Sequence, residues 1–133
     1  MKMNNCLKGL SVLIVEDEFL LAVNLETIMR DAGAQNIRMA ATVVDATILI
    51  ERGAYDAAIL DIRLMDGDSL PLAEKLIDRG VPVVIHSGYT NPSHSQILPE
   101  AVFLPKPAAP TEIIEALLKA CGVPGAIKLS AEV

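Results

Sequence analysis

Residues 10–18 read LSVLIVEDE, an aliphatic run from Leu10 to Val15 followed by three acids, Glu16, Asp17 and Glu18. An unbroken apolar run of that length, with no polar alternation, predicts a strand covered on both faces. Such a strand needs helices on either side of its sheet. The acids that follow it end the strand in a polar rim.

The chain downstream supplies those helices. Phe19 to Arg30 predicts a helix with Leu21, Leu25, Ile28 and Met29 on one stripe and Gly33 as its stop. Ile37 to Ala40 is a short second strand. Thr42 and Asp45 form a T-x-x-D capping signal for a helix through about Glu51, ended by Gly53. Ala57 to Leu60 (AAIL) is a third strand, followed by the polar loop DIRLMDGDS over residues 61–69. Ser69 is expected to cap the next helix, with Pro71 in its first turn and Gly80 closing it. Val81 to Ile85 (VPVVI) and Ala101 to Leu104 (AVFL) predict strands four and five. Thr111 to Ala120 is a last amphipathic helix carrying Ile113, Ile114, Leu117 and Leu118, stopped by Gly122. Between strands four and five, Pro92 and Pro99 leave only Ser93 to Leu98 for a helix, one turn or two at most. Strands alternating with helices in this way predict right-handed crossovers and a parallel sheet with helices on both faces.

Composition narrows the function classes. A chain of 133 residues fits one domain, and 52 % apolar residues supply its core. Eleven Lys and Arg against seventeen Asp and Glu leave a net charge of -6. That balance argues against nucleic acid as a partner, because binding to phosphate backbones is dominated by cations. Two Phe, two Tyr and no Trp argue against a base-stacking platform as well. The longest apolar runs are strand-sized, no signal-peptide core is present near Met1, and no membrane role is expected. Cys6 and Cys121 lack any ligand spacing and are read as reduced thiols of a cytoplasmic protein. Met29, Met39 and Met65 are expected to pack.

In parallel α/β sheets, ligands sit beyond the carboxyl ends of the strands. There the sequence places Glu16, Asp17 and Glu18 after strand one, Asp61 after strand three, His86, Ser87 and Gly88 after strand four, and Pro105, Lys106 and Pro107 after strand five. Each has an ordinary explanation when taken singly. Acids after a strand cap helices, Ser-Gly marks a turn, and a lysine between prolines is a solvated loop charge. Taken together they gather Glu16, Asp17 and Asp61, whose mutual repulsion calls for a cation among them. Carboxylate oxygens in an open cluster suit Mg²⁺, and Lys106 and Ser87 add a positive charge and a hydroxyl. A nucleophilic carboxylate, a metal site, a lysine and a hydroxyl make a phosphoryl-transfer set. His86 alternates away from Ser87 along its strand and is read as structural; His94 is read as solvated.

LIVEDE, ILD at Asp61, HSG at Ser87 and FLPKP at Lys106 resemble the receiver domain of bacterial two-component response regulators. The resemblance covers about residues 8–121 and leaves 122–133 as a flexible C-terminal tail. It implies a flavodoxin-like, doubly wound α/β fold with a five-stranded parallel sheet in the order 2-1-3-4-5. It also implies that Asp61 accepts a phosphoryl group from a phosphohistidine of a sensor histidine kinase or histidine phosphotransfer protein. Glu16, Asp17, Asp61 and the backbone carbonyl of Arg63 would hold Mg²⁺, with Lys106 and Ser87 on the phosphoryl oxygens. Switching would couple Ser87 to Phe103, with Tyr89 over the site. Such a protein is a switch or a phosphate shuttle in a phosphorelay, with no separate substrate turned over.

Some positions depart from the common receiver pattern. The loop after Asp61 is short, with Gly67 six residues on, and Met65 and Asp66 stand where a proline is usual. Ser87-Gly88-Tyr89 places an aromatic two residues after the hydroxyl, and Ala108 follows Lys106-Pro107 where Phe is frequent. With the truncated fourth helix, these features resemble alphaproteobacterial single-domain receivers carrying a Gly-Tyr loop. Dimers, if formed, would avoid the face built on that helix. Two other readings are open to the same residues: a binding module of the same fold that needs no phosphate, and a phosphatase of the haloacid-dehalogenase type. The second normally carries an Asp two residues beyond its nucleophile, and Arg63 occupies that position here.

Overall fold

The computed structural model describes residues 6–88 and 92–122. Its elements run β1 (Ser11–Val15), α1 (Phe19–Asp31), β2 (Asn36–Ala40), α2 (Val43–Arg52), β3 (Ala57–Leu60), β4 (Arg63–Leu64), β5 (Gly67–Asp68), α3 (Leu70–Asp78), β6 (Val83–Ser87), α4 (Pro92–Ile97), β7 (Val102–Pro105) and α5 (Pro110–Ala120). The main sheet has five strands in the order β2-β1-β3-β6-β7, all pairs parallel. With the small β4-β5 hairpin set aside, this is the doubly wound 2-1-3-4-5 order of the flavodoxin-like fold.

The apolar run that opens the chain is buried on both sides, as its pattern requires. Val12 and Ile14 pack with Leu25, Met29, Ile113 and Leu117 beneath α1 and α5. Leu13 and Val15 pack with Ile50, Leu72, Ala73 and Leu76 beneath α2 and α3. Alternate side chains of one strand thus serve two cores, which is why LSVLIV shows no polar alternation.

The glycine stops act in two ways. At Gly33 (φ 99) and Gly80 (φ 80) the chain turns left-handed. Gly33 and Ala34 donate to the carbonyls of Arg30 and Met29, and Gly80 and Val81 to those of Ile77 and Leu76. Both ends are Schellman motifs, which need the missing Cβ. Gly53 is extended at φ -129 and ends α2 without a left-handed turn; a Cβ there would meet Tyr55 Oη at 2.9 Å and the Leu49 carbonyl at 3.3 Å.

Several local expectations are corrected. Strand four is Val83–Ser87 and strand five Val102–Pro105, so both reach further toward the rim than the apolar runs alone indicated. Ser69 precedes α3 but makes no side-chain cap; its backbone is already helical, and its buried hydroxyl donates to the Asp61 carbonyl. Asp68 Oδ1 accepts from Leu70 N–H at 2.8 Å instead. His94 is buried rather than solvated, because α4 seats it against a cavity shared with Ile62, Leu64 and Gly67. Met29 packs fully, whereas Met39 faces out from edge strand β2 and Met65 stands 86 % exposed at the hairpin tip. Cys6 and Cys121 are both free thiols, and burial raises the pKa of the second. No helix among the described residues is long and apolar enough to cross a membrane.

Candidate functional site

β1, β3, β6 and β7 end side by side, and the residues just past their ends meet. Asp61 N–H donates to the Val15 carbonyl at 2.9 Å, which locks the end of β3 beside that of β1. Glu16 N–H donates to Ala40 at 3.0 Å, and Lys106 N–H donates to Ser87 at 3.1 Å. Continued sheet pairing therefore holds the backbone at Glu16, Asp61, Ser87 and Lys106.

Those side chains form one connected cluster. Lys106 Nζ donates to Asp61 Oδ2 at 2.7 Å and to Glu16 Oε1 at 2.8 Å. Ser87 Oγ donates to Asp61 Oδ1 at 2.8 Å. Both carboxylate oxygens of Asp61 are thus engaged, one by a cation and one by a hydroxyl. Glu16 Oε2 accepts from Glu18 N–H at 3.2 Å, and the Asp61 carbonyl takes the Ser69 hydroxyl. The Lys106–Pro107 peptide bond is cis.

Burial sets the electrostatics. Glu16 is only 3 % exposed, and loss of solvation pushes its pKa above the ordinary carboxylate value. The hydrogen bond and charge of Lys106 oppose that rise without cancelling it. Burial also works against the charge on Lys106, but its bonds to Asp61 and Glu16 outweigh this and raise its pKa. The ammonium is held charged between two acids.

The donor set fits a small hard cation. One carboxylate oxygen each from Glu16, Asp17 and Asp61 lies within 4.8 Å of the others. Three clustered carboxylates with Asp17 and Asp61 partly open to solvent suit Mg²⁺, which keeps several waters of its own. Arg63 follows at the start of the hairpin, with its N–H 3.4 Å from Asp61 Oδ1.

The structure brings together Glu16, Asp17, Asp61, Ser87 and Lys106, all read from sequence as site residues. Phe103 lies apart in β7, half-buried, paired with Ile85 and packed on the α2–α3 side of the sheet. Tyr89 lies outside the described residues, as do 123–133 of the expected tail. His86 turns away from Ser87 as its alternation indicated. It lines a cavity of about 380 Å³ with Leu21, Leu25 and Ile113, and neither ring nitrogen has a hydrogen-bond partner. The contacts of Ser69 with the Asp61 carbonyl and of Asp66 with the N–H groups of Val43 and Val44 were not read from the sequence. The nine-residue loop carrying them was the available signal, since strand-to-helix loops usually take two to about six residues.

Comparison with known proteins agrees with this geometry. The response regulator receiver domain family matches residues 12–118. The solution structure of SdrG from Sphingomonas melonis Fr1 is 33 % identical, covers 86 % of this chain and 98 % of that one, and has a TM-score of 0.70. A response regulator receiver protein from Sinorhizobium medicae WSM419 is 25 % identical over 87 % of this chain and 97 % of that one, with a TM-score of 0.76. A CheY-like receiver domain protein from Methanospirillum hungatei JF-1 shares the fold at a TM-score of 0.78, with 23 % identity, covering 92 % and 99 % of the two chains. A search of curated proteins finds no match. With the family matched across most of the chain and the acids, hydroxyl and lysine gathered on one rim, this protein belongs to the response regulator receiver domains of two-component systems.

Proposed function

We propose that this chain is a phosphorylation-dependent signalling protein whose acceptor is Asp61. Receiver domains act as switches rather than as enzymes turning over a separate substrate. In our reading the phosphoryl group comes from a phosphohistidine of a sensor histidine kinase or a histidine phosphotransfer protein. The P–N bond breaks, its electron pair returns to the imidazole, and a P–O bond forms to one carboxylate oxygen of Asp61. The signalling unit spans residues 8–121 of a cytoplasmic bacterial protein, acting as a switch or as a phosphate shuttle.

The observation that carries this reading is the grip on Asp61, with Lys106 at 2.7 Å on one oxygen and Ser87 at 2.8 Å on the other. A carboxylate is a weak nucleophile, so transfer depends on positioning and on neutralising charge at the phosphoryl oxygens. Lys106 supplies that charge, and Ser87 supplies a donor able to follow the new oxygens away from Asp61. Glu16, Asp17, Asp61 and the Arg63 carbonyl would hold Mg²⁺, which when bound adds further neutralisation. Phe103, with no hydroxyl of its own, would report the movement of Ser87 through burial. Tyr89 is the proposed cover of the site.

Intact-mass analysis after incubation with acetyl phosphate tests the reading. A gain of one phosphoryl group that needs Mg²⁺ and is lost in Asp61→Asn supports it. A phosphate-independent binding module of the same fold is the second reading, favoured by the altered loop after Asp61, where Met65 and Asp66 stand in place of the usual proline. Mg²⁺ binding with no phosphoryl gain, and no response to beryllofluoride, would select it.

A further inference from the structure

The first N–H groups of α2 have no partners within the helix and must find them elsewhere. Thr42 Oγ1 accepts from Asp45 N–H at 3.0 Å. Two more are taken from far along the chain: Asp66 Oδ1 accepts from Val43 N–H at 2.7 Å, and Asp66 Oδ2 from Val44 N–H at 3.2 Å. One carboxylate, more than twenty residues away, therefore completes the end of α2. The positive end of the helix dipole favours its charge there.

Asp66 belongs to the turn of the β4-β5 hairpin, whose pairs are Arg63 with Asp68 and Leu64 with Gly67. Each strand of that hairpin has only two residues, too little to stand alone in water. Its base is fixed by Ser69 N–H on the Ile62 carbonyl at 2.8 Å and by the Ser69 hydroxyl on Asp61. Its tip is fixed by Asp66, whose carboxylate accepts from the N–H groups of Val43 and Val44. Arg63 sits between these two anchors.

We propose that Asp66 is a positioning residue for the cation site: by pinning the hairpin tip to α2, it fixes the backbone of Arg63, the ligand-bearing segment next to Asp61. This role rests on the Mg²⁺ reading above. It makes α2 a part of the site's support, although no residue of α2 touches the carboxylate cluster's ion pairs.

The test compares wild type, Asp66→Ala, Asp66→Asn and Thr42→Ala by Mg²⁺ titration and by amide exchange of residues 63–68 in metal-free protein. Thr42→Ala weakens the same helix end without touching the hairpin. The expected result is Mg²⁺ affinity lower by about tenfold in Asp66→Ala, the scale of lost ligand support. Asp66→Asn, which keeps one acceptor oxygen, should fall between, and Thr42→Ala should match wild type. Exchange over 63–68 should quicken most in Asp66→Ala, less in Asp66→Asn and not in Thr42→Ala. Unchanged affinity in a folded Asp66→Ala would overturn the proposal, as would an equal loss in Thr42→Ala. Wild type that binds no Mg²⁺ would overturn the cation reading and this role with it, while the exchange data would still show whether Asp66 holds the hairpin.

Discussion

Lys106 Nζ bridges Asp61 and Glu16 at 2.7 and 2.8 Å, so the resting site carries its own cation. That ammonium holds one oxygen each of Asp61 and Glu16, two of the three carboxylates that would hold Mg²⁺ in the proposed reading. In that reading the two cations compete in part for one cluster, and the lysine would yield some of its contacts when the site is loaded.

Replacing Lys106 tests this competition. Lys106→Met leaves buried Glu16 beside Asp61 with no positive charge, which should cost about 3 kcal/mol in metal-free buffer, the scale of a broken buried pair. Mg²⁺ should bind the variant at least as tightly as wild type and restore part of the loss. Urea unfolding with and without Mg²⁺ reads both effects. A variant that loses Mg²⁺ affinity would refute the competition.

Ser69 bears on the acceptor through the backbone. Its hydroxyl is fully buried and donates to the Asp61 carbonyl. Ser69→Ala leaves that carbonyl short of a partner and should lower stability by about 1–2 kcal/mol. Phosphoryl uptake should slow as well, because the acceptor loses a fixed backbone. Denaturant midpoints and timed mass spectra check the two arms separately.

His86 predicts a pH dependence. Burial pushes the imidazole below its ordinary value; the charge of Lys106 adds to this and that of Asp61 opposes it. As pH falls, the unfolded chain therefore takes up the proton first, near pH about 6.5. Stability should be full above that pH and decline as it drops toward the lower folded-state value. His86→Met removes the titrating ring and both unpartnered nitrogens, so its melting temperature should fall less than that of wild type between about pH 8 and pH 5.5. Parallel curves for the two proteins would count against this.

Ser87 should separate acceptance from response. Ser87→Ala removes the hydroxyl from Asp61 Oδ1 and keeps Lys106 in place, so Asp61 should still gain a phosphoryl group. The change at Phe103 that follows phosphorylation should be lost. Proton NMR of the Phe103 ring with and without acetyl phosphate reads this, and an unaltered Phe103 response in the variant would remove Ser87 from the switch.

The sheet and its rim were legible because each strand declares itself locally. LSVLIV, AAIL and the run ending at Ile85 are apolar enough to need two covered faces, and the acids, Ser87 and Lys106 follow their strands directly. What stayed hidden depends on contacts between distant segments. Asp66 reads as a turn residue because its partners, Val43 and Val44, precede it by more than twenty positions. Ser69 has the identity of a cap, yet its hydroxyl is drawn to a carbonyl eight residues back. His94 lies in a polar, proline-flanked stretch, and only the packing of α4 beside the hairpin buries it.

The most direct test of the central claim is a crystal structure of the protein with Mg²⁺ and beryllofluoride, a mimic of the phosphoryl group. The account predicts beryllium on one Asp61 oxygen, with the cation held by Glu16, Asp17, the other Asp61 oxygen and the Arg63 carbonyl. Ser87 Oγ and Lys106 Nζ should have moved from Asp61 onto the fluorides. A structure in which beryllofluoride is absent and Ser87 and Lys106 still hold both oxygens of Asp61 would contradict it.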